Sequence, residues 1–198
     1  MEEQKTMKEW YIEYKEKQLE KDIKRCNTFA IVTSTVASLS ALVMAGNIAI
    51  GNELEVLQLG GTTAAMLAYT ISYANMESIY KKEQKNFKER IANPKSFAKT
   101  RLEELKYELS ILKAQLSMDY MVAGGFYATT LGHLIELISI PEPPQMIANI
   151  TGSALSALVG TLYLYLSKSH RIDKKGKQLE IDGLEIIEKF EDESNVVA

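Results

Sequence analysis

His133 and Glu136 are the two side chains whose types and spacing come closest to a chemical site in this sequence. They lie three residues apart, so in a helix they share one face. An imidazole and a carboxylate so placed can pair with each other, or the carboxylate can attract cations. A metal site needs a third ligand, and none stands at a matching spacing. The single cysteine, Cys26, also excludes a cysteine-based zinc site, so we expect no metal and no cofactor.

The elements that carry these two residues are defined by the positions of the basic residues. All 23 Lys and Arg fall in three segments, and none lies between Arg25 and Lys81 or between Lys113 and Lys168. Each gap holds two apolar runs separated by a turn. Membrane insertion produces this pattern, because cations are retained on the cytoplasmic side. The sequence therefore predicts an all-α polytopic membrane protein with four transmembrane helices in two hairpins.

The predicted chain has five segments, with both termini cytoplasmic in a cell or inner membrane. About 20 apolar residues suffice for one helix to cross a hydrocarbon core of about 30 Å. The segments are a cytoplasmic N-terminal helix at 1–25, a first transmembrane hairpin at 26–77, a cytoplasmic helical hairpin linker broken at Pro94 at 78–118, a second transmembrane hairpin at 119–167 and a cytoplasmic tail helix at 168–198.

Glu136 is the one carboxylate inside a predicted span, and intramembrane ionisable groups are functional candidates. In a ring of subunits it would form an acidic girdle that attracts cations. The simpler interpretation is that Glu136 reaches the interface, one turn below Pro141, and pairs with His133.

The first span is rich in hydroxyl groups and is our candidate for a helix that faces a pore. Its candidate pore residues are Ser34, Ser38 and Asn47. Serine and threonine can equally bond back to carbonyls of their own helix, which makes them tolerable in lipid.

Small residues recur every four positions in all four predicted spans. Helices in lipid associate by close backbone approach, which such stripes permit. The favoured interpretation is a tight four-helix bundle within one subunit; the alternative is that some stripes serve contacts between subunits of a homo-oligomer. The stripes are Ala37, Ala41 and Ala45; Gly60, Ala64, Ala68 and Ser72; Gly124, Ala128 and Gly132; and Ala148, Gly152, Ser156 and Gly160.

Leucines recur in the linker at alternating spacings of three and four, the seam by which helices pair side by side. We expect this seam to pack against the preceding cytoplasmic helix, and the alternatives are a coiled coil between subunits or a cytoplasmic protein partner. Its members are Leu102, Leu105, Leu109, Leu112 and Leu116.

Two functional classes are not expected. The basic segments are interleaved with acids, which argues against a nucleic-acid partner. The chain has no glycine-rich phosphate loop and no nucleophile elbow. Its two histidines, His133 and His170, belong near opposite membrane faces, so we expect no catalytic residues and no enzyme activity.

Two stretches resemble the Orai calcium channels, which share the plan of four spans with cytoplasmic ends. Leu131-Gly-His-Leu-Ile-Glu136-Leu is similar to the Orai third span, which also carries a glutamate near its outer end. Leu164-Tyr-Leu-Ser-Lys-Ser-His170-Arg is similar to the exit of the Orai fourth span. The resemblance implies a channel. Orai channels place an acidic selectivity residue at the outer end of the first span, where this chain has Gly46-Asn47-Ile48-Ala49, so calcium selectivity does not follow.

By plan alone, the chain also resembles four-span membrane subunits of prokaryotic antiphage defence systems, such as Kiwa-like subunits. The predicted function is an oligomeric channel or pore-type protein with cytoplasmic helices that gate it or sense a signal, as a membrane effector of a defence or stress system would have. The alternative is a non-conducting membrane scaffold or sensor that recruits a soluble cytoplasmic partner.

Overall fold

Four long α-helices make up the chain in the computed structural model, which describes residues 6–92, 97–139 and 143–196. They are α1 (Met7–Ala49), α2 (Glu53–Ala92), α3 (Phe97–Ser139) and α4 (Pro143–Val196). Each apolar run continues without a break into a charged run, so a helix of 40 to 54 residues is about 60 to 80 Å long. The all-α prediction is confirmed.

Three of these helices, α1, α3 and α4, are long and apolar enough to cross a membrane. Among the described residues, α2 does not reach that hydropathy, because polar side chains interrupt its apolar run. A fourth span therefore stays a prediction. The interrupting residues are Gln58, Thr62, Thr63, Tyr69, Thr70, Ser72, Tyr73 and Asn75.

The helices are arranged as an antiparallel row. Backbones approach each other between α1 and α2, α2 and α3, and α3 and α4, and within the described ranges α1 does not approach α4. This corrects the expectation of a tight four-helix bundle. Hydroxyl pairs bridge all three neighbouring pairs of helices, among them Thr33 and Thr70 at 2.9 Å, Thr62 and Thr129 at 3.3 Å, and Thr130 and Ser156 at 2.8 Å.

The alternating directions bring all charged segments to one end of the molecule. There α3 and α4 are joined by the ion pairs Arg101–Glu180 at 2.9 Å and Lys106–Glu185 at 2.7 Å. We call residues 6–25, 77–92, 97–119 and 168–196 the charged half, and residues 26–76, 120–139 and 143–167 the apolar half.

The connection between α1 and α2 is a tight glycine turn. Gly51 has φ of 74°, a conformation that costs glycine little. The amide of Gly51 donates to the carbonyl of Ile48 at 3.1 Å, and that of Asn52 donates to Asn47 at 2.9 Å. This Schellman arrangement satisfies the last carbonyls of α1. The other two predicted breaks, at Pro94 and Pro141, lie outside the described residues.

A close contact in the apolar half joins the backbones of α2 and α3. A Cβ atom added to Gly61 would lie 2.5 Å from the backbone nitrogen of Thr129, and one added to Gly125 would lie 2.7 Å from the carbonyl oxygen of Gly61. Both distances are shorter than real Cβ contacts, so these two positions require glycine. Neither glycine belongs to the predicted stripes, which lie one residue earlier on both helices.

The predicted stripes therefore coincide with the helix contacts only in part. A step of four residues turns about 40° past one full helical turn, so a strict stripe drifts away from the contact face. The buried members are Ala37, Ala68, Ser72, Gly132, Ser156 and Gly160; the half-buried members are Ala41, Gly60, Ala128 and Gly152; the exposed members are Ala45, Ala64, Gly124 and Ala148.

The leucine seam of α3 packs mainly on the tail end of α4, which corrects the expectation that it packs on the preceding helix. Leu102, Leu105 and Leu109 form one cluster with Ile181, and Leu184 packs against it. Leu112 is buried and Leu116 is half-buried. α3 turns a different face toward α1 and α2, where Ala114 clusters with Cys26 and Met76.

Replacing Gly125 by alanine should destabilise the fold by about 1–3 kcal/mol, because the added methyl group forces α2 and α3 apart. The adjacent Gly124 is a matched control: an added Cβ there meets nothing within 4 Å, so Gly124→Ala should be neutral or stabilising by up to about 1 kcal/mol. Thermal unfolding in detergent, followed by circular dichroism, measures both. Equal melting temperatures for the two variants would contradict the close α2–α3 contact.

Candidate functional site

A polar cavity of about 400 Å³ lies at the end of the apolar half that is remote from the charged half. All four helices contribute to its wall, although the backbones of α1 and α4 do not approach each other in the described ranges. The lining residues are Val43 from α1; Glu55, Gln58 and Leu59 from α2; His133 and Glu136 from α3; and Gln145, Ala148 and Asn149 from α4.

Glu136 is held in this cavity by α2. The side-chain amide of Gln58 donates a hydrogen bond to Glu136 Oε2. The close approach of the two helices brings the amide there, since a Cβ atom on Gly132 would lie 2.6 Å from Gln58 Cγ. Gly132 is one turn before Glu136 on α3. The structure thus brings Glu136 to Gln58, and the predicted pairing of Glu136 with His133 is wrong.

His133 bonds instead to α4. Its Nδ1 lies 3.2 Å from Asn149 Oδ1, and its ring packs on Gly152, where an added Cβ would lie 2.6 Å from His133 Nε2. Asn149 is 5 % exposed, and its Nδ2 makes no hydrogen bond within the described chain. A buried donor without a partner is costly, so this amide can hydrogen-bond a polar group that enters the cavity.

The charge of the cavity favours cations. Two carboxylates, Glu55 and Glu136, line it together with the amides of Gln58, Gln145 and Asn149. Within the described ranges no three His, Cys, Asp or Glu side chains are close enough to hold a metal ion. The arrangement can therefore attract a cation and offer it oxygen ligands, but it does not form a closed metal cage.

The three candidate pore residues of α1 do not line this cavity. Asn47 is buried, and its Nδ2 donates to the Val43 carbonyl at 3.2 Å. Ser34 donates to the Ile31 carbonyl at 2.9 Å, and Ser38 donates to the Ser34 carbonyl at 2.8 Å. These hydroxyls bond within their own helix, as serine in a membrane helix commonly does.

A buried carboxylate that contacts a histidine at the border between the two halves was not anticipated. Asp119 is 1 % exposed, and His170 Nδ1 lies 2.7 Å from its Oδ2. Its Oδ1 has no hydrogen-bond partner in the described chain. The sequence signal was available: Asp119 precedes the third apolar run and His170 follows the fourth, so antiparallel helices place the two level.

Aromatic side chains lie near this border, on α1, α2 and α4. The hydroxyl groups of Tyr69 and Tyr163 share a hydrogen bond, Tyr69 stacks on Tyr73, and Tyr73 stacks on Phe29. Tyr69 and Tyr163 link α2 directly to α4, across the side of α3.

The charged half contains a second buried pair. The Arg90 guanidinium donates to Glu83, which is 2 % exposed, and it lies 3.6 Å from Glu103 on α3. Burial raises the pKa of the Glu83 carboxyl above its ordinary value, and Arg90 offsets part of that rise. A pocket of about 290 Å³ lies beside the pair and is also lined by Lys106 and Tyr107.

Replacing His170 by leucine should destabilise the fold by about 3 kcal/mol or more, because it leaves the Asp119 carboxylate buried without a partner. Replacing both residues by leucine should recover most of that loss. Arg171→Leu, which removes an exposed neighbouring cation, is the control and should change little. Melting temperatures in detergent test this cycle, and a double variant no more stable than His170→Leu would contradict it.

The comparisons with known proteins assign this chain to no family. No protein-family model, no curated protein and no solved structure matches it.

Proposed function

We propose that the chain is an oligomeric membrane protein of channel type, with its charged half in the cytoplasm and the polar cavity facing the opposite side. The gathering of every described basic residue in the charged half supports this orientation, because cations are retained on the cytoplasmic side. The apolar half exposes large side chains, among them Leu42 at 70 % and Ile138 at 85 %. Contact between such an apolar surface and lipid costs no free energy, whereas its exposure to water does.

The observation that carries the channel proposal is the polar cavity around Glu136. A carboxylate in the apolar half of a membrane protein is costly, and such groups commonly serve ion pathways. Here it is held by Gln58 and shares the cavity with Glu55, so the site favours cations over anions. Cation conduction is the proposed activity.

The row of helices supports assembly into an oligomer. Within the described ranges the backbone of α1 approaches only that of α2, and the face of α1 opposite to α2 exposes Thr35, Ser38 and Gly46. Small and hydroxyl residues on an outward face are typical of helix–helix contacts in membranes. In the oligomer this face of α1 contacts a neighbouring subunit or lines the pore.

The charged half supports a gating or sensing role. Every helix is continuous from one half to the other, so a partner or signal bound at the charged half is connected to the cavity by unbroken helix. A role in a defence or stress system rests only on the likeness of plan to Kiwa-like subunits.

The second candidate is a non-conducting scaffold or sensor that recruits a soluble cytoplasmic partner. The observation that favours it is the pocket lined by Glu83, Lys106 and Tyr107, which offers charges of both signs and an aromatic ring to a partner. The two functions differ in whether sealed vesicles conduct.

Replacing Glu136 by glutamine should lower cation flux into proteoliposomes about tenfold, the effect of losing about 1.4 kcal/mol of cation attraction. Glutamine keeps the size of the side chain and can still bond Gln58, so the loss would report on charge. Glu77→Gln is the matched control, because Glu77 pairs with Lys81 in the charged half and should not affect entry. Wild-type vesicles that stay sealed under every condition would exclude conduction and favour the scaffold, and equal flux in Glu136→Gln would remove Glu136 from the pathway.

A further inference from the structure

The part of α4 in the charged half carries an apolar stripe that faces away from α3. Ile172, Leu179 and Ile186 recur at intervals of seven residues and are 62 %, 72 % and 56 % exposed. They differ from Ile181 and Leu184, which pack on α3. The segment between them is dense in charged residues, so lipid cannot cover the stripe there.

Two glycines complete the stripe. Gly176 and Gly183 lie in the middle of the helix, and an added Cβ at either meets nothing within 4 Å in the subunit. Glycine in an exposed helix is less stable than alanine, and its usual compensation is the close approach of another backbone. Ile172, Gly176, Leu179, Gly183 and Ile186 follow alternating spacings of four and three, the heptad pattern of a paired helix. We call these five residues the tail seam.

We propose that the tail seam binds the tail seam of a second copy of this chain, with the two helices parallel. The parallel orientation rests on the proposed function, because copies inserted in one membrane have the same direction. In a parallel pair, residues that flank the seam five positions apart face each other across the interface. Here those positions hold Lys168 with Asp173 and Lys175 with Glu180, opposite charges in both cases.

These flanking charges are largely uncommitted within the subunit. In the described chain Lys168, Asp173 and Lys175 form no ion pair, and Glu180, which binds Arg101, keeps a side chain that is 46 % exposed. The seam also continues into the apolar half, where Leu158 and Tyr165 extend the interval of seven and are 67 % and 71 % exposed. The same helix face can thus be shared by two copies along most of α4.

Disulfide cross-linking of the full chain in detergent or nanodiscs tests the contact. With the buried Cys26 replaced by serine, oxidation of Leu179→Cys should give a covalent dimer, because residues of a parallel seam meet their own copies. Gln178→Cys is the control: the position is adjacent and also exposed but points away from the seam, and it should stay monomeric. Dimer formation by both variants, or by neither, would overturn the proposal.

A charge exchange tests the orientation and the choice of partner. Lys168→Glu alone and Asp173→Lys alone should each reduce dimerisation, because each puts like charges across the interface. The double variant should restore it, and Arg171 and Lys174 keep the segment basic throughout. A double variant as weak as the single ones would overturn the parallel pairing of two copies.

The outcomes separate this proposal from the channel. A cross-linked Leu179→Cys dimer in vesicles that do not conduct would support the tail seam and contradict conduction. Conducting vesicles in which Leu179→Cys does not cross-link would overturn the tail seam and leave the channel standing.

Discussion

The rest of the apolar half depends on the contact between the backbones of α2 and α3 at Gly61 and Gly125. Without a hydrophobic gain between apolar groups in lipid, dispersion and hydrogen bonding must hold helices together, and both require short distances. At this separation the Thr129 hydroxyl can donate to the Gln58 carbonyl at 3.2 Å, and the Gln58 amide can reach Glu136. The polar cavity is therefore a product of the two glycines. With bulkier residues there, a carboxylate in the apolar half would have no donor.

The need for hydrogen-bond partners also explains why α2, the least apolar helix, lies between α1 and α3. α2 has polar side chains along its apolar run, and each of its neighbours accepts some of them: Thr70 bonds Thr33 on α1, and Thr62 bonds Thr129 on α3. Tyr69 reaches past α3 to Tyr163 on α4. In the proposed membrane, an outer helix with these groups would present them to lipid, where they would have no partners. The order of helices in the row thus follows from where the polar side chains can be satisfied.

Much of the architecture follows from patterns that are local in the sequence. The gaps between Arg25 and Lys81 and between Lys113 and Lys168 indicated where the apolar segments lie, and Gly51 marked a turn. The faces by which the helices contact each other were harder to predict from the sequence. A one-residue rotation decides whether Gly60 or Gly61 meets α3, and both belong to a run of small residues with no periodicity to choose between them. The leucine seam was predicted from the sequence, but any amphipathic helix could have been its partner. In the structure the partner is the C-terminal part of α4, because Ile181 and Leu184 lie level with the seam.

The ionisable residues of the polar cavity could be predicted from the sequence, but their hydrogen-bond partners could not. Glu136 and His133 are rare groups in an apolar run, so composition alone singled them out. Their hydrogen-bond partners, Gln58 and Asn149, come from helices distant in sequence, and an amide in a run of apolar residues gives no sign of its target. For the same reason the pairing of Asp119 with His170 needed the antiparallel alignment of α3 and α4 before it could be recognised.

The arrangement in a row also has a consequence for how the chain folds. In the described chain the close backbone approaches all join helices that are adjacent in sequence, so these contacts can form outward from each connection as the polypeptide emerges. Hairpin-like assembly of this kind needs little search, because loop closure between distant segments is avoided. α1 and α2 can pack against each other progressively from the turn at Gly51 before α4 has been synthesised. Nothing synthesised later needs to return to the outer side of α1, so the nascent chain never has to reopen a finished contact.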